Sequence, residues 1–179
     1  MTEHWDPRAP QTGGQAPDLQ LFDEAGKPRR LSLLARGGPL LLLFFAGTSD
    51  EGGRALLRDY RDLTLALHLA GVRLMGVAHG EPAAISYLRM EMGIGFPLLA
   101  DPDGSQLARF GMDEQTGLFL LDRGLHVRQR AAGGRASGTA LLQFIKRGGA
   151  KKPKVKFGER VSHFIKILQA AIKPRPLVR

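Results

Sequence analysis

Hydrophobic positions along the chain change period several times, and each change marks an element. Leu40–Ala46, within PLLLLFFAG, is an unbroken apolar run, which predicts a central strand covered on both faces. Upstream, in APDLQLFDEAGKPRRLSLLARGG, Leu19 and Leu21 alternate with polar neighbours as in a half-buried strand. A turn at Glu24–Lys27, a second short extended piece and a brief helical turn follow it. Downstream, Leu56, Tyr60, Leu63 and Leu67 stand at i, i+4, i+7 and i+11. That spacing predicts one amphipathic helix from Glu51 to about Leu69, closed by Gly71. Thr48, Ser49 and Asp50 are N-cap candidates, and Glu51 lies three residues after Thr48 in capping-box spacing.

The remaining segments alternate in type. VRLMGVAHG reads as a strand and EPAAISYLRMEMG as a helix with Pro82 in its first turn. FPLLAD is a short extended piece, PDG a turn, and SQLARFGM a short helix closed by Gly111. GLFLLDRGLHVRQRAAG predicts a hairpin turning at Asp122–Gly124, and SGTALLQFIKRG a final domain helix with Ser137 as its cap. The order β-β-β-α-β-α-β-α-β-β-α predicts an α/β domain, a mixed central sheet between helix layers. Residues 1–15, rich in Pro, Gly and polar side chains, read as a flexible leader, and 16–147 as the domain. Residues 148–158 read as a basic linker, and 159–179 as a basic C-terminal helix and tail.

Charge sharpens this division. The chain of 179 residues has a formal net charge of +9, yet residues 1–145 hold 15 Lys/Arg against 16 Asp/Glu. Residues 146–179 hold 11 Lys/Arg and one acid, Glu159. The high pI therefore describes a tail attached to a nearly neutral domain. Apolar content of 43% and charged content of 24% are ordinary for a globular protein. No apolar run approaches the roughly 20 residues of a membrane-spanning helix. With no apolar signal segment at the polar start, the cytoplasm is the expected location. The cysteine count is zero, which excludes disulfides, thiolate metal sites and thiol catalysis.

Five segments in order, spanning about 16–146, resemble the alkyl hydroperoxide reductase and thiol-specific antioxidant family, the peroxiredoxin-type branch of the thioredoxin fold. APDLQLFDEAGKPRRLSLL resembles the family's opening hairpin, and PLLLLFFAG the strand leading to its active loop. GVRLMGVAHGEPAAISYL, FPLLADPDGSQLARFGM and GLFLLDRGLHVRQRAAG are similar to the segments that follow. The resemblance implies a thiol peroxidase fold whose reactive cysteine opens the first long helix. Counting from Phe44 and Phe45 places Arg54 at that cysteine, Gly52 near a family proline and Glu51 near a threonine. Read as a CxxC loop, the same stretch places Ser49 and Gly52 at the two sulfurs. The opposing position, an Arg or a cis-Pro in the superfamily, falls at Thr116 or Gly117.

Thr48, Ser49, Asp50, Glu51, Gly52, Gly53 and Arg54 thus form a vestigial site region, with Thr116 and Gly117 opposite. Peroxide reduction needs a polarisable nucleophile that survives as a sulfenic acid. Arg is permanently protonated, and a hydroxyl needs a base that no neighbouring His supplies. No catalytic residue, cofactor or metal is therefore expected. His4, His68, His79, His126 and His163 show no ligand spacing, and Met90 and Met92 are oxidisable but read as packing residues. The first functional expectation is a redoxin-like binding or regulatory module. A second is residual redox or hydrolytic activity through non-thiol groups. A third is capture of an anionic partner, nucleic acid or acidic protein, by Lys146, Arg147, Lys151, Lys152, Lys154, Lys156 and Arg160. A second copy of the chain is a further expected partner.

Overall fold

The computed structural model describes residues 5–133, 136 and 138–146. The third strand explains the architecture. In β3 (Leu40–Phe45) every residue is buried, and successive side chains enter opposite cores. Leu41, Leu43 and Phe45 join one hydrophobic cluster, while Leu40, Leu42 and Phe44 join the other. A period of two with both faces apolar yields a strand with helices above and below it.

The sheet grows outward from that strand. β3 pairs in parallel with β4 (Arg73–His79) and antiparallel with β6 (Gly117–Leu121). β4 pairs in parallel with β5 (Leu98–Asp101), and β6 antiparallel with β7 (Val127–Ala132). β1 (Gln20–Phe22) and β2 (Pro28–Arg30) form a hairpin whose first strand meets β5 antiparallel. The resulting order is β2-β1-β5-β4-β3-β6-β7, the expected mixed sheet. α2 (Glu51–Arg61), α3 (Thr64–Leu69), α4 (Pro82–Glu91) and α6 (Gly138–Lys146) contribute to one core. α1 (Leu31–Ala35) and α5 (Ser105–Arg109) contribute to the other. The second core centres on Phe44, Phe110 and Phe119, whose ring centroids lie 4.8–5.7 Å apart in stacked and edge-on pairs.

Three details differ from the sequence reading. The single helix over Glu51–Leu69 is two helices, α2 and α3, separated by Asp62 and Leu63. The Thr64 hydroxyl donates to the Tyr60 carbonyl at 3.1 Å, and the Leu63 amide also turns back to that carbonyl. This local closure competes with the α-helical ladder. The apolar face survives the break, since Leu56, Tyr60 and Leu67 share one core with Leu63 against it. The hairpin turn also runs one residue further than Asp122–Gly124. Leu125 adopts φ +62°, and Asp122 Oδ1 accepts from the amides of Gly124 and His126.

The third difference concerns residues 5–15. They form an irregular strap laid on the sheet, with no regular element of their own. Trp5 packs edge-on against Phe119, the Arg130 guanidinium lies 4.3 Å from the Trp5 ring centroid, and Ala9 is buried. The Gly13 amide donates to Val127, and the Val127 amide to Gly14. Pro and Gly content suggests a flexible leader over 1–15, whereas the packing of its few apolar side chains depends on distant residues. Arg147 and everything after it, including the linker and the basic helix, lie outside the described residues, as does Ser137.

Candidate functional site

The site region begins where β3 runs out of apolar residues. Ala46 leaves the sheet, and the Asp50 amide closes a tight turn by donating to the Gly47 carbonyl at 3.1 Å. Asp50 itself is extended at φ −74°, ψ 106°, and its carbonyl accepts the first helical bond from Arg54 at 2.8 Å. Of the three cap candidates, Asp50 holds the N-cap position of α2. Ser49 is exposed and Thr48 half-buried.

The Asp50 carboxylate is the centre of the arrangement. Its Oδ2 accepts from the Ala46 amide at 3.0 Å and from Thr116 Oγ1 at 2.9 Å. Burial pushes its pKa up, but the donors of Ala46, Gly53, Thr116 and Gly52 outweigh that and hold it below the usual carboxylate range. Asp50 and Thr116 are 66 residues apart in the chain. Thr116 is pinned in turn, because its carbonyl accepts from the Gly133 amide at 2.8 Å. Thr116 therefore faces the start of α2 across this bond.

The two glycines of α2 differ sharply. At exposed Gly52 a Cβ would lie 3.2 Å from Asp50 Oδ1 and 3.3 Å from Thr116 Oγ1. At buried Gly53 it would lie 2.4 Å from the Phe45 Cβ, a separation no real pair of carbons adopts. Gly117, opposite, is enclosed similarly by Ala131 O and Met112 Cε, each 2.7 Å from an ideal Cβ. Arg54 does not face Thr116. Its guanidinium donates to the Thr48 carbonyl at 3.1 Å and pairs with Glu91 at the end of α4. Glu51 is exposed, 3.7 Å from Arg58. The structure thus brings Asp50, Gly52 and Thr116 together and turns Arg54 and Glu51 elsewhere.

Beside this cluster lies a cleft of about 400 Å³ lined by Gly52, Ala55, Leu56, Asp59, Thr116, Gly133 and Ala136. The cleft itself is mostly apolar walled, with Thr116 and Asp59 as its polar side chains. The Asp50–Thr116 pair superficially resembles a base and a nucleophile. A carboxylate held more acidic than usual is a poor base for an alcohol, so the hydrogen bond orients the loop and does not activate the hydroxyl. The His79 ring makes its contacts away from this pair, with Nδ1 3.1 Å from the Asp101 carbonyl and the ring against Gly104. His68 is exposed on α3, and His126 pairs with Asp122 at 3.2 Å. Among the described residues, no group of three or more His, Asp or Glu could hold a metal ion. His4 and His163 lie outside them, as do Arg147, Lys151, Lys152, Lys154, Lys156 and Arg160. Lys146 closes the backbone of α6.

Sequence reasoning missed what Asp50 does. It identified a cap, whereas the carboxylate also joins the end of β3 to the loop before β6. No local pattern signals a bond across 66 positions.

A model of the AhpC/TSA family matches residues 12–130. The chain belongs to the AhpC/TSA family. Among curated proteins, "Putative peroxiredoxin Rv1608c" of Mycobacterium tuberculosis (strain ATCC 25618 / H37Rv) is 28% identical over 102 residues. The match covers 57% of this chain and 66% of that protein. "Putative peroxiredoxin Rv2521" of the same organism is 30% identical over 99 residues, 55% of this chain and 62% of that protein. The chain therefore spans somewhat under two thirds of the length of these relatives. Among solved structures, peroxidoxin BcpB of M. tuberculosis superposes with a TM-score of 0.65 at 20% identity, covering 92% of this chain and 99% of that one. Xanthomonas campestris peroxiredoxin Q gives 0.63 at 22% identity, covering 73% and 91%. At these identities the likeness speaks for the fold, which is the peroxiredoxin type of thioredoxin fold expected from sequence. This AhpC/TSA chain departs from its family name in one decisive respect, the complete lack of cysteine. Among the described residues, no helix is long and apolar enough to cross a membrane.

Proposed function

We propose that this AhpC/TSA-family protein is a binding or regulatory module that has no thiol peroxidase turnover. One observation carries the reading: nowhere in 179 residues is there a thiol. Peroxidase cycling in this family type requires a sulfur that becomes a thiolate, attacks the O–O bond and is regenerated by a second thiol. The geometry around α2 supports the reading. The Asp50 carboxylate, held by the Ala46 amide and the Thr116 hydroxyl, places a negative charge of its own at the start of α2, where it repels a second anion. The cleft beside Thr116 remains as the surface for a ligand.

The test is peroxide consumption by the purified, metal-free chain with dithiothreitol or with thioredoxin and its reductase. Consumption is expected to match a heat-treated control once any stoichiometric oxidation is complete. Sustained loss of many equivalents per chain would sink the proposal and favour residual activity through non-thiol groups.

The placement of 11 Lys/Arg and one acid in residues 146–179 supports a second reading, an anionic partner held by the tail. Retention of the full chain on immobilised duplex DNA is expected to weaken steeply as salt rises. A chain shortened to end at Arg147 should be retained far less. Equal retention of both would remove the tail as the cause.

A further inference from the structure

We propose that Met90 is the most reactive sulfur among the described residues, a surface thioether that a hydroperoxide converts to the sulfoxide once per chain. The inference does not depend on what, if anything, the cleft beside Thr116 binds.

Sulfur in this chain resides in five methionines alone. With no thiol to compete, the order of their oxidation follows access of the oxidant to each sulfur. Met112 is 0% exposed and Met75 8%, both enclosed in the core that contains Phe44 and Phe119. Met92 is half-buried, packed against the opposite core. Met90 is 68% exposed on the last turn of α4, and Tyr87, one turn earlier, is 66% exposed on the same side. Core methionines react only when the structure opens locally, and that equilibrium slows them in proportion. Met90 needs no opening.

The step balances without another reactant. A sulfur lone pair attacks the distal peroxide oxygen, an S–O bond forms and the O–O bond breaks. The departing oxygen takes a proton and leaves as water or an alcohol. Sulfur is oxidised by two electrons and the hydroperoxide reduced by two. No residue regenerates the thioether, so the reaction stops after one equivalent at this position.

Location gives the product a defined character. Met90 lies one residue from Glu91, the partner of Arg54 in the first turn of α2. It is also two residues from Met92, whose carbonyl accepts from Arg61. A sulfoxide at 90 adds a polar oxygen to an exposed face, while a sulfoxide at 92 would intrude on the core. Oxidation at 90 therefore marks the surface of α4 and leaves the fold intact.

The experiment exposes the full chain to limiting hydrogen peroxide and follows oxygen uptake by peptide mass spectrometry. Met90 is expected to react at least about tenfold faster than Met75 and Met112, with Met92 between them. Met1 lies outside the described residues and is followed on its own peptide; in denaturant Met75, Met90, Met92 and Met112 should react alike. The melting temperature should stay unchanged after the Met90 phase and fall only when Met92 is oxidised. Met90→Leu, a change at an exposed position, should abolish that fast phase at 87–92 without hastening Met92. Comparable rates at Met75 or Met112 in the folded chain would overturn the proposal. So would a fast phase at Met92 in place of Met90.

Discussion

A single methyl group added at position 53 is expected to destabilise the protein by about 3 kcal/mol, the upper end of ordinary overpacking. Gly53→Ala lowers backbone entropy in the unfolded chain and improves helix propensity, a gain of roughly 0.5–1 kcal/mol. The steric term exceeds it. The new Cβ would meet the Phe45 Cβ at 2.4 Å and its Cγ at 2.9 Å. Neither atom is the free end of a flexible side chain, because Phe45 is wholly buried on β3 and that strand is paired on both sides. Relief therefore requires α2 to move from the sheet. For a chain of this length the cost corresponds to a fall of roughly 6–12 °C in melting temperature. Gly52→Ala is the internal control. Its Cβ meets only Asp50 Oδ1 and Thr116 Oγ1, at 3.2 and 3.3 Å, on an exposed surface, and stability should stay within about 1 kcal/mol of the parent. Thermal unfolding of the two variants side by side settles the matter. Equal stability of both would show that α2 does not lie on Phe45 as described.

The contrast between adjacent glycines shows where sequence reading works and where it stops. β3 was legible because six consecutive apolar residues can be buried on both faces in few ways other than a central strand. The closing hairpin was legible from GLFLLDRGLHVRQRAAG for a similar reason, a period of two broken by a turn. Gly52 and Gly53, by contrast, look identical in sequence. Which of them touches Phe45 and which faces Thr116 depends on the phase of α2 over the sheet, a tertiary quantity. The same limit explains the split after Arg61. The apolar positions continue in phase through Leu63 and Leu67, so periodicity alone predicts one helix, while a hydroxyl-to-carbonyl bond from Thr64 breaks it. Trp5 and Ala9 were illegible as core residues because each is isolated among polar neighbours. Trp5 packs on Phe119, and Ala9 joins the core that contains Phe119, more than 100 positions away. The absence of thiol chemistry was fully legible, since composition decides it without any fold. The carboxylate bridge from Asp50 to Thr116 was not.

That bridge carries the other large expected effect. Asp50→Ala removes an ionised acceptor from the Ala46 amide and the Thr116 hydroxyl and a negative charge from the N-terminus of α2. Bonds to charged groups are worth about 1.5–3 kcal/mol, and the variant leaves a half-buried amide unpaired, so a loss of about 3 kcal/mol is expected. Asp50→Asn keeps one acceptor oxygen and should lose roughly half as much. The pH dependence distinguishes charge from shape. The folded pKa of Asp50 lies below the ordinary value of 3.8, so the folded state binds fewer protons than the unfolded one. Its contribution is fully present above 3.8 and is lost as pH falls through the folded pKa. Asn carries no charge at any pH, so the stability gap between parent and Asp50→Asn should be constant near neutrality and narrow in acid. Asp18, Asp23 and Asp122 are also depressed and weaken both proteins alike, and the difference between the two curves cancels them. Denaturant unfolding from pH 7 down to about pH 3 measures that difference. A gap that stays constant across the range would mean the carboxylate does not act through its charge, and the assignment of Asp50 as an ionised link between the end of β3 and Thr116 would fall with it.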